Sequence, residues 1–358
     1  MIKVGITIGD INGVGLETIL QVFSDQRMSE IVTPIVYGQV DVLRETRKQL
    51  GFDQFKHNGI QNADDARPKR VNLVSVSDKE VPLQFGEATR AAGELAFASI
   101  KQAVEDLASN KIDVLVTCPI NKDTIQSDHF QFPGHTEYLA DMAGVDRYLM
   151  LLVSDEMRVG VATGHIPLKD VSKVLTKELI LEKLAIMRES LLRDFGIAQP
   201  HIAVLGLNPH AGDNGLLGDE EKEVIIPAIR EARGEGHYVF GPYGADGYFG
   251  SKVYKQFDAT LAMYHDQGLA PFKALAFHSG VNFTAGLPIV RTSPDHGTAY
   301  DLAGKGEASP DSLRSAIFAA IDIYNYRREH REFASNPLQP QEKPKKKNEK
   351  ESRGAGRS

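Results

Sequence analysis

HIAVLGLNPHAGD, residues 201–213, is a short β-branched run that ends in a Gly/Asn/Pro turn, with a histidine, His210, directly after it. The run reads as a buried β-strand bounded by turn residues. Two other stretches have the same form. MRVGVAT (157–163) is followed by GHIPL and His165, and DATLAMY (258–264) by HDQGLAPFK and His265. In open α/β sheets ligands gather outside the carboxyl ends of the strands, so three imidazoles emerging there are expected to converge on one divalent metal. Three neutral imidazoles and an open coordination position suit a Zn²⁺-like catalytic ion better than Mg²⁺, which prefers oxygen ligands. Taken singly, each histidine reads as a strand-end residue hydrogen-bonded to backbone.

Outward from these three, the strand-like runs KVGITIG, IVTPIVYG, VNLVSVS, KIDVLVTCP, YLMLLVS and PIVRTS alternate with long amphipathic segments. ATRAAGELAFASIKQAVEDLAS and TKELILEKLAIMRESLLRDFG carry apolar residues at the i, i+3, i+4, i+7 spacing of a helix. The alternation predicts an α/β protein with a largely parallel sheet. The strands outnumber those of one modest sheet, which favours two lobes with a cleft between them. From Phe333 the pattern dissolves into a polar tail, residues 333–358, expected to be disordered.

Composition narrows the function. The chain has 358 residues, 42% of them hydrophobic and 25% charged, which is ordinary for a globular protein with room for two domains. A formal net charge of −7 leaves no basic face for nucleic acid, and the one basic run, KPKKKNEK, lies in the tail. A single cysteine, Cys118, excludes an intrachain disulfide and fits a reducing compartment. It sits in VLVTCPINK at a strand end and reads as a small buried hydrophobe rather than a nucleophile. With no leader pattern and no apolar run of about 20 residues, the expectation is a cytoplasmic protein with neither membrane nor nucleic-acid partners.

Two glycine-rich strings bracket the chain. GDINGVGLE (9–17) follows the first strand and opens a helix, where glycines let backbone N–H groups approach a ligand; it is neither G-x-G-x-x-G nor a P-loop. SPDHGTAYDLAGKGEASPDSL (293–313) resembles the H-G-[ST]-A-x-D-x-A-G-K-G loop by which isocitrate and isopropylmalate dehydrogenases hold the adenosine part of NAD(P). Those enzymes also open with a strand leading to G-D-G-I-G-P-E.

With TCPINK, FPGHTEYLA, ATGHIPL, LGLNPHAGDNGLLGDEE, GPYGADGYF and YHDQGLAPFK, the chain resembles the 4-hydroxythreonine-4-phosphate dehydrogenase family of pyridoxal phosphate biosynthesis over nearly all of residues 1–330. The resemblance implies a two-lobed α/β/α fold of the isocitrate/isopropylmalate dehydrogenase type with the active-site cleft between the lobes. Residues 1–125 and 270–332 would form the cofactor side, and 126–269 the metal, substrate and dimerisation lobe. It implies one divalent metal (Zn, or Mg, Mn or Co) on His165, His210 and His265, and substrate contacts at His135, Thr136, Lys273, Asn282 and Arg291. NAD or NADP would lie against His296, Gly297, Thr298, Ala299 and Asp301. The active site would be shared across a homodimer, with one metal histidine from the partner. Ile11, Asn12, Val14 and Leu16 replace the usual residues of the first loop but leave its glycines, and Gly247 follows Asp246 where the family carries Thr or Ser.

The residue types suit the implied reaction, oxidation of 4-phosphooxy-L-threonine to 2-amino-3-oxo-4-phosphooxybutanoate and its decarboxylation to 3-amino-2-oxopropyl phosphate. A divalent ion acidifies the alcohol and then steadies the enolate. Arg291 offers a bidentate fork and Lys273 a compact charge for phosphate or carboxylate, although surface cations are common. Asn282, between apolar neighbours, would alone read as a turn or a buried amide. His135 and Thr136 precede a helix and would cap it, or receive an anion at its amino terminus. Asp266 and Asp246 are the candidate proton acceptors, with Asp266 equally suited to orienting His265. The main alternative substrate is a phosphorylated four-carbon sugar acid, 4-phospho-threonate or 4-phospho-erythronate. A three-histidine metal hydrolase leaves the 296–306 loop without a role, and a non-catalytic binding protein leaves the histidines unexplained.

Overall fold

In the computed structural model, which describes residues 1–335, the apolar runs become strands of one sheet and the amphipathic segments the helices that cover it. The strands are β1 (Lys3–Thr7), β2 (Thr33–Gly38), β3 (His57–Ile60), β4 (Val71–Ser75), β5 (Val114–Thr117), β6 (Leu149–Val153), β7 (Arg158–Val161), β8 (His201–Leu205), β9 (Tyr238–Tyr243), β10 (Ala259–Ala262), β11 (Val281–Ala285) and β12 (Arg291–Pro294). The helices are α1 (Gly15–Ser24), α2 (Gln26–Ile31), α3 (Val40–Gln49), α4 (Arg90–Ala108), α5 (His135–Met142), α6 (Val171–Val174), α7 (Lys177–Phe195), α8 (Ile226–Gly234), α9 (Ala245–Gly250), α10 (His265–Ala276) and α11 (Asp311–Ser335).

The mixed α/β class is as expected, and both long amphipathic segments are helices. Thr89 caps α4 by accepting from the Ala92 N–H, Thr176 caps α7 by accepting from Leu179, and Gly196 ends α7 in the left-handed conformation. Val4, Ile6, Val114 and Val116 of the central strands have no solvent exposure, as covering on both faces requires.

The sheet order is β3-β4-β2-β1-β5-β12-β11-β6-β7-β10-β8-β9. The strand number therefore does not force two sheets. Instead, β11 pairs antiparallel with both β12 and β6, and β6 antiparallel with β7, so the two flanking parallel blocks run in opposite directions. Strands β3, β9 and β11 were not among the expected runs. HNGI is polar, YVFGPY contains a Gly-Pro step, and VNFTA carries an asparagine that reads as a turn. Helix α11 continues through Ser335, and the rest of the tail expected from Phe333 lies outside the described residues. Among the described residues, no helix is long and apolar enough to cross a membrane.

Register sets one face of the central strands. Asn282 pairs with Ser293 on one side and Leu152 on the other, and Arg291 pairs with Leu115. Because alternate residues share a face, Thr117, Arg291, Ser293, Asn282 and Met150 project the same way. A buried ion pair steadies this seam from behind. The Arg327 Nε donates to Asp194 Oδ1 at 2.7 Å and its Nη1 to the carbonyls of Pro288 and Ile289, just before Arg291. Burial pushes the Asp194 carboxyl up, and Arg327 and Arg193 outweigh it and hold it below the usual carboxylate range.

Candidate active site

β7, β10 and β8 are consecutive parallel neighbours, so the loops carrying His165, His265 and His210 leave the sheet side by side. Side chains tie those loops together. The Thr163 Oγ1 donates to Met263 O at 2.7 Å, while the Gln267 carboxamide accepts from Met263 N at 2.7 Å and donates to Gly206 O at 2.6 Å. The His165 and His265 rings lie 5.2 Å apart, centroid to centroid. The His265 Nδ1 is 2.7 Å from Asp266 Oδ1, which leaves Nε2 as its outward atom. Burial, then Lys122 and His265, hold His165 below the ordinary imidazole range, favouring the neutral, ligating form.

His210 does not join them. Among the described residues no three His, Cys, Asp or Glu side chains of one chain stand close enough to share a metal. The expected convergence is therefore incomplete within a single chain. His210 follows β8, beyond β10 from His165, on an unusual backbone: His210, Ala211, Gly212, Asp213 and Asn214 have φ of 52°, 51°, 80°, 42° and 57°. Such a left-handed turn costs about 1–2 kcal/mol per non-glycine residue and leaves His210 exposed. Asp246, second residue of α9, lies beside it: a Cβ built on Gly244 falls 3.4 Å from both Asp246 Oδ1 and His210 Cα. The Asp246 carboxylate is exposed and engages no partner among the described residues, and neither it nor His210 lines the cleft of its own chain.

That cleft, of about 670 Å³, lies over the shared face of β5, β12, β11 and β6 and takes in both His165 and His265. His135, Thr136, Lys273, Asn282 and Arg291 line it together. Arg291 is 3% exposed and donates from Nε and Nη2 to Thr117 Oγ1 at 3.0 and 2.6 Å. Burial brings its pKa down to about 10, with Glu137 pulling the other way. It forms no ion pair among the described residues, and a buried cation without an anion is costly unless a ligand supplies one. The His135 Nε2 and Asn282 Oδ1 are buried without a partner. Burial, then Arg291 and Lys122, keep His135 well below the ordinary imidazole range. His135 and Thr136 do not cap α5, because Gly134 occupies the cap position and His135 is the first helical residue. Lys273 pairs with Asp295 at 3.3 Å, and burial raises the Asp295 carboxyl against the pull of Lys273.

Lys122, Glu137 and Lys183 also line the cleft and were not singled out from sequence. Lys122 and Glu137 stand in TCPINK and FPGHTEYLA, so the signal was present in strings already quoted. Lys183 on α7 had none, since its Nζ reaches Tyr148 O only through the packing of α7 on the sheet.

Asp295, His296 and Gly297 bring the 295–306 loop to the cleft, and behind them this loop packs against the β1–α1 turn. A Cβ on Gly13 would sit 2.6 Å from Thr298 O, so only glycine permits this approach. The Val14 N–H donates to Thr298 O at 3.0 Å, and Tyr300 donates to the fully buried Asp10, whose carboxyl burial raises. Asn12 knots the turn to a third segment, accepting from Gln84 N and donating to Glu87 O and Thr89 Oγ1. His296 and Gly297 face the cleft, with the His296 Nε2 buried and unpartnered. Thr298, Ala299 and Asp301 are not among the cleft residues; Ala299 takes a left-handed φ of 46° and Asp301 is exposed. Cys118 is buried, with burial raising its thiol to about 12, which fits the inert reading.

The family model described as "Pyridoxal phosphate biosynthetic protein PdxA" matches residues 30–320. A relative from Bacteroides thetaiotaomicron, named 4-hydroxythreonine-4-phosphate dehydrogenase, is 52% identical over 341 residues, covering 95% of this chain and 93% of the relative. One of the same name from Aquifex aeolicus is 43% identical over 321 residues, covering 90% and 98%. The crystal structure of 4-hydroxythreonine-4-phosphate dehydrogenase from Klebsiella pneumoniae superposes with a TM-score of 0.77 at 35% identity, covering 90% of this chain and 98% of that one.

Proposed function

The chain belongs to the pyridoxal phosphate biosynthetic protein PdxA family, and from that premise we propose that it is a dehydrogenase that oxidises 4-phosphooxy-L-threonine to 2-amino-3-oxo-4-phosphooxybutanoate, which decarboxylates to 3-amino-2-oxopropyl phosphate. The observation that carries the reading is a single cleft holding both a buried, anion-free guanidinium, Arg291, and a pair of adjacent imidazoles, His165 and His265.

The imidazole donors fit a divalent ion of the zinc type, and the start of the 295–306 loop, with the unpartnered His296 Nε2 and Gly297 at the cleft, fits a nucleotide. Once bound, the ion would supply Lewis-acid charge at the alcohol and NAD or NADP would accept the hydride. The chain's own groups do the rest. Arg291, with Thr136 and His135 at the start of α5, receives the phosphate, and Lys273 and Asn282 orient the carbon chain. Asp266 fixes the His265 ring so that Nε2 faces the cleft. Asp246, without a partner among the described residues, takes the alcohol proton.

Asp246 and His210 lie together outside their own cleft, so in this reading they complete the cleft of a second copy, making the working unit a homodimer. Residues 1–125 and 270–332 form the cofactor side, and 126–269 the metal and dimerisation side. NAD contacts run from His296 through Asp301, and the enzyme works in the cytoplasm.

NADH formation followed by absorbance with 4-phosphohydroxythreonine, before and after chelator treatment and again after Zn²⁺ add-back, tests the reading. Turnover that is lost and then restored is expected. Activity only on 4-phospho-threonate or 4-phospho-erythronate would overturn the substrate, and no nucleotide reduction with any of the three would overturn the dehydrogenase.

A further inference from the structure

We propose that Glu221 is a positioning residue for His210, holding the left-handed turn that projects this imidazole; the proposal rests on the metal reading above. Glu221 is 2% exposed and opens a wide i→i+5 turn, Glu221–Ile225, a form frequent at functional sites. Its Oε1 accepts from the backbone N–H groups of Leu207 and Asn208, both at 2.7 Å, and its Oε2 from Asn208 Nδ2 at 2.9 Å. Glu220 accepts from the same amide nitrogen at 2.7 Å.

These bonds fix the two residues from which the chain passes through Pro209 into His210. Space for the carboxylate is reserved on both sides. A Cβ on Gly206 would lie 3.0 Å from Glu221 Oε1, and one on Gly212 would lie 2.6 Å from Oε2. The carboxylate therefore sits between the end of β8 and the left-handed turn, in contact with both. A run of residues at positive φ persists only where its surroundings over-determine it, and Glu221 supplies those surroundings with charge-assisted bonds. Glutamine at 221 still accepts from the two backbone N–H groups, but its Nε2 then confronts Asn208 Nδ2, donor against donor. Rotating Asn208 relieves this only by turning its oxygen toward Glu220.

The test is the Zn²⁺ dissociation constant of the full-length protein, measured by competition with a chromophoric chelator. Glu221→Gln should weaken Zn²⁺ about tenfold, and in a His210→Gln background the same change should add nothing. An equal loss in both backgrounds would show that Glu221 supports the fold generally and would overturn the proposal, as would unchanged affinity in folded Glu221→Gln. If Glu221→Gln does not fold, Asn208→Ala, which leaves the two backbone bonds intact, should weaken Zn²⁺ about threefold with the same dependence on His210. Unchanged affinity there would be equally fatal. Wild-type protein that binds no Zn²⁺ would bring down the metal reading itself, a different failure from any of these.

Discussion

The two parallel blocks of the sheet end their strands in opposite ways. In the block β3-β4-β2-β1-β5-β12, the carboxyl-terminal loops are closed within the chain: Asp10 is bonded to Tyr300, Glu17 accepts from Gly304 and Ala308, and Asn12 binds three groups of the 84–89 segment. In the block β7-β10-β8-β9, the loops are tied to one another at their bases, but their functional tips are exposed. His165 and His210 are exposed, and so are Leu168, Val174, Leu216 and Leu217. In the proposed reading these exposed apolar side chains beside His165 and His210 are the surface that a second copy covers. One block is complete in a single chain, and the other, in the proposed reading, is finished by a second copy.

The largest expected effect tests that contrast directly. His165→Ala and His210→Ala should each lower turnover by about 10³-fold or more. Subunits of the two variants, exchanged under mild denaturant, should recover about a quarter of wild-type activity, because half of the dimers then carry one intact site. A mixture that stays dead would place His210 in its own chain's site and erase the distinction between the blocks.

Next in size is the seam. Arg291 stands on β12, where the two blocks face each other across the cleft, and Arg291→Lys keeps the charge but loses the fork. An expected loss of about 1.5–3 kcal/mol, or roughly 10- to 150-fold in kcat/KM carried mainly by KM, follows from removing a bidentate charge-assisted contact. A change in kcat alone would mean that Arg291 serves the reacting carbon and not the phosphate.

The smallest effect sharpens the picture of the self-contained block. Asn12→Ala removes three hydrogen bonds and leaves the Gln84 N–H without its acceptor, which should cost about 1–3 kcal/mol in chemical denaturation. The KM for NAD should rise severalfold while Zn²⁺ affinity stays the same. A fall in Zn²⁺ affinity would show that the blocks are coupled and not separately built.

Much of this was legible in the letters. Strand runs ending in turn residues, long 3.6-period segments and the glycine loops identified an α/β protein, and the histidines fell where β7, β8 and β10 end. The polar HNGI and the Asn-bearing VNFTA did not look like strands, because pairing and not composition makes them so: β3 only edges the sheet, whereas β11 is held between β12 and β6. Lys183 enters the cleft through helix packing and leaves no local trace. His135 and Thr136 read as caps or as anion-receiving residues at the start of α5; Gly134 takes the cap position, and both side chains line the cleft.

The sequence by itself determined which residue types meet at which strand ends, since periodicity and turn chemistry act over a few residues. It also placed the glycines of the turn before α1, whereas the contact of Gly13 with Thr298 came only with the tertiary structure. Only the tertiary structure decided that β11 and β6 reverse the sheet, so that the cleft lies on a face and not along one edge. Only the tertiary structure separated His210 from its two fellows as well. Strand order and backbone handedness depend on pairings between residues far apart in the chain, and no local pattern carries that information.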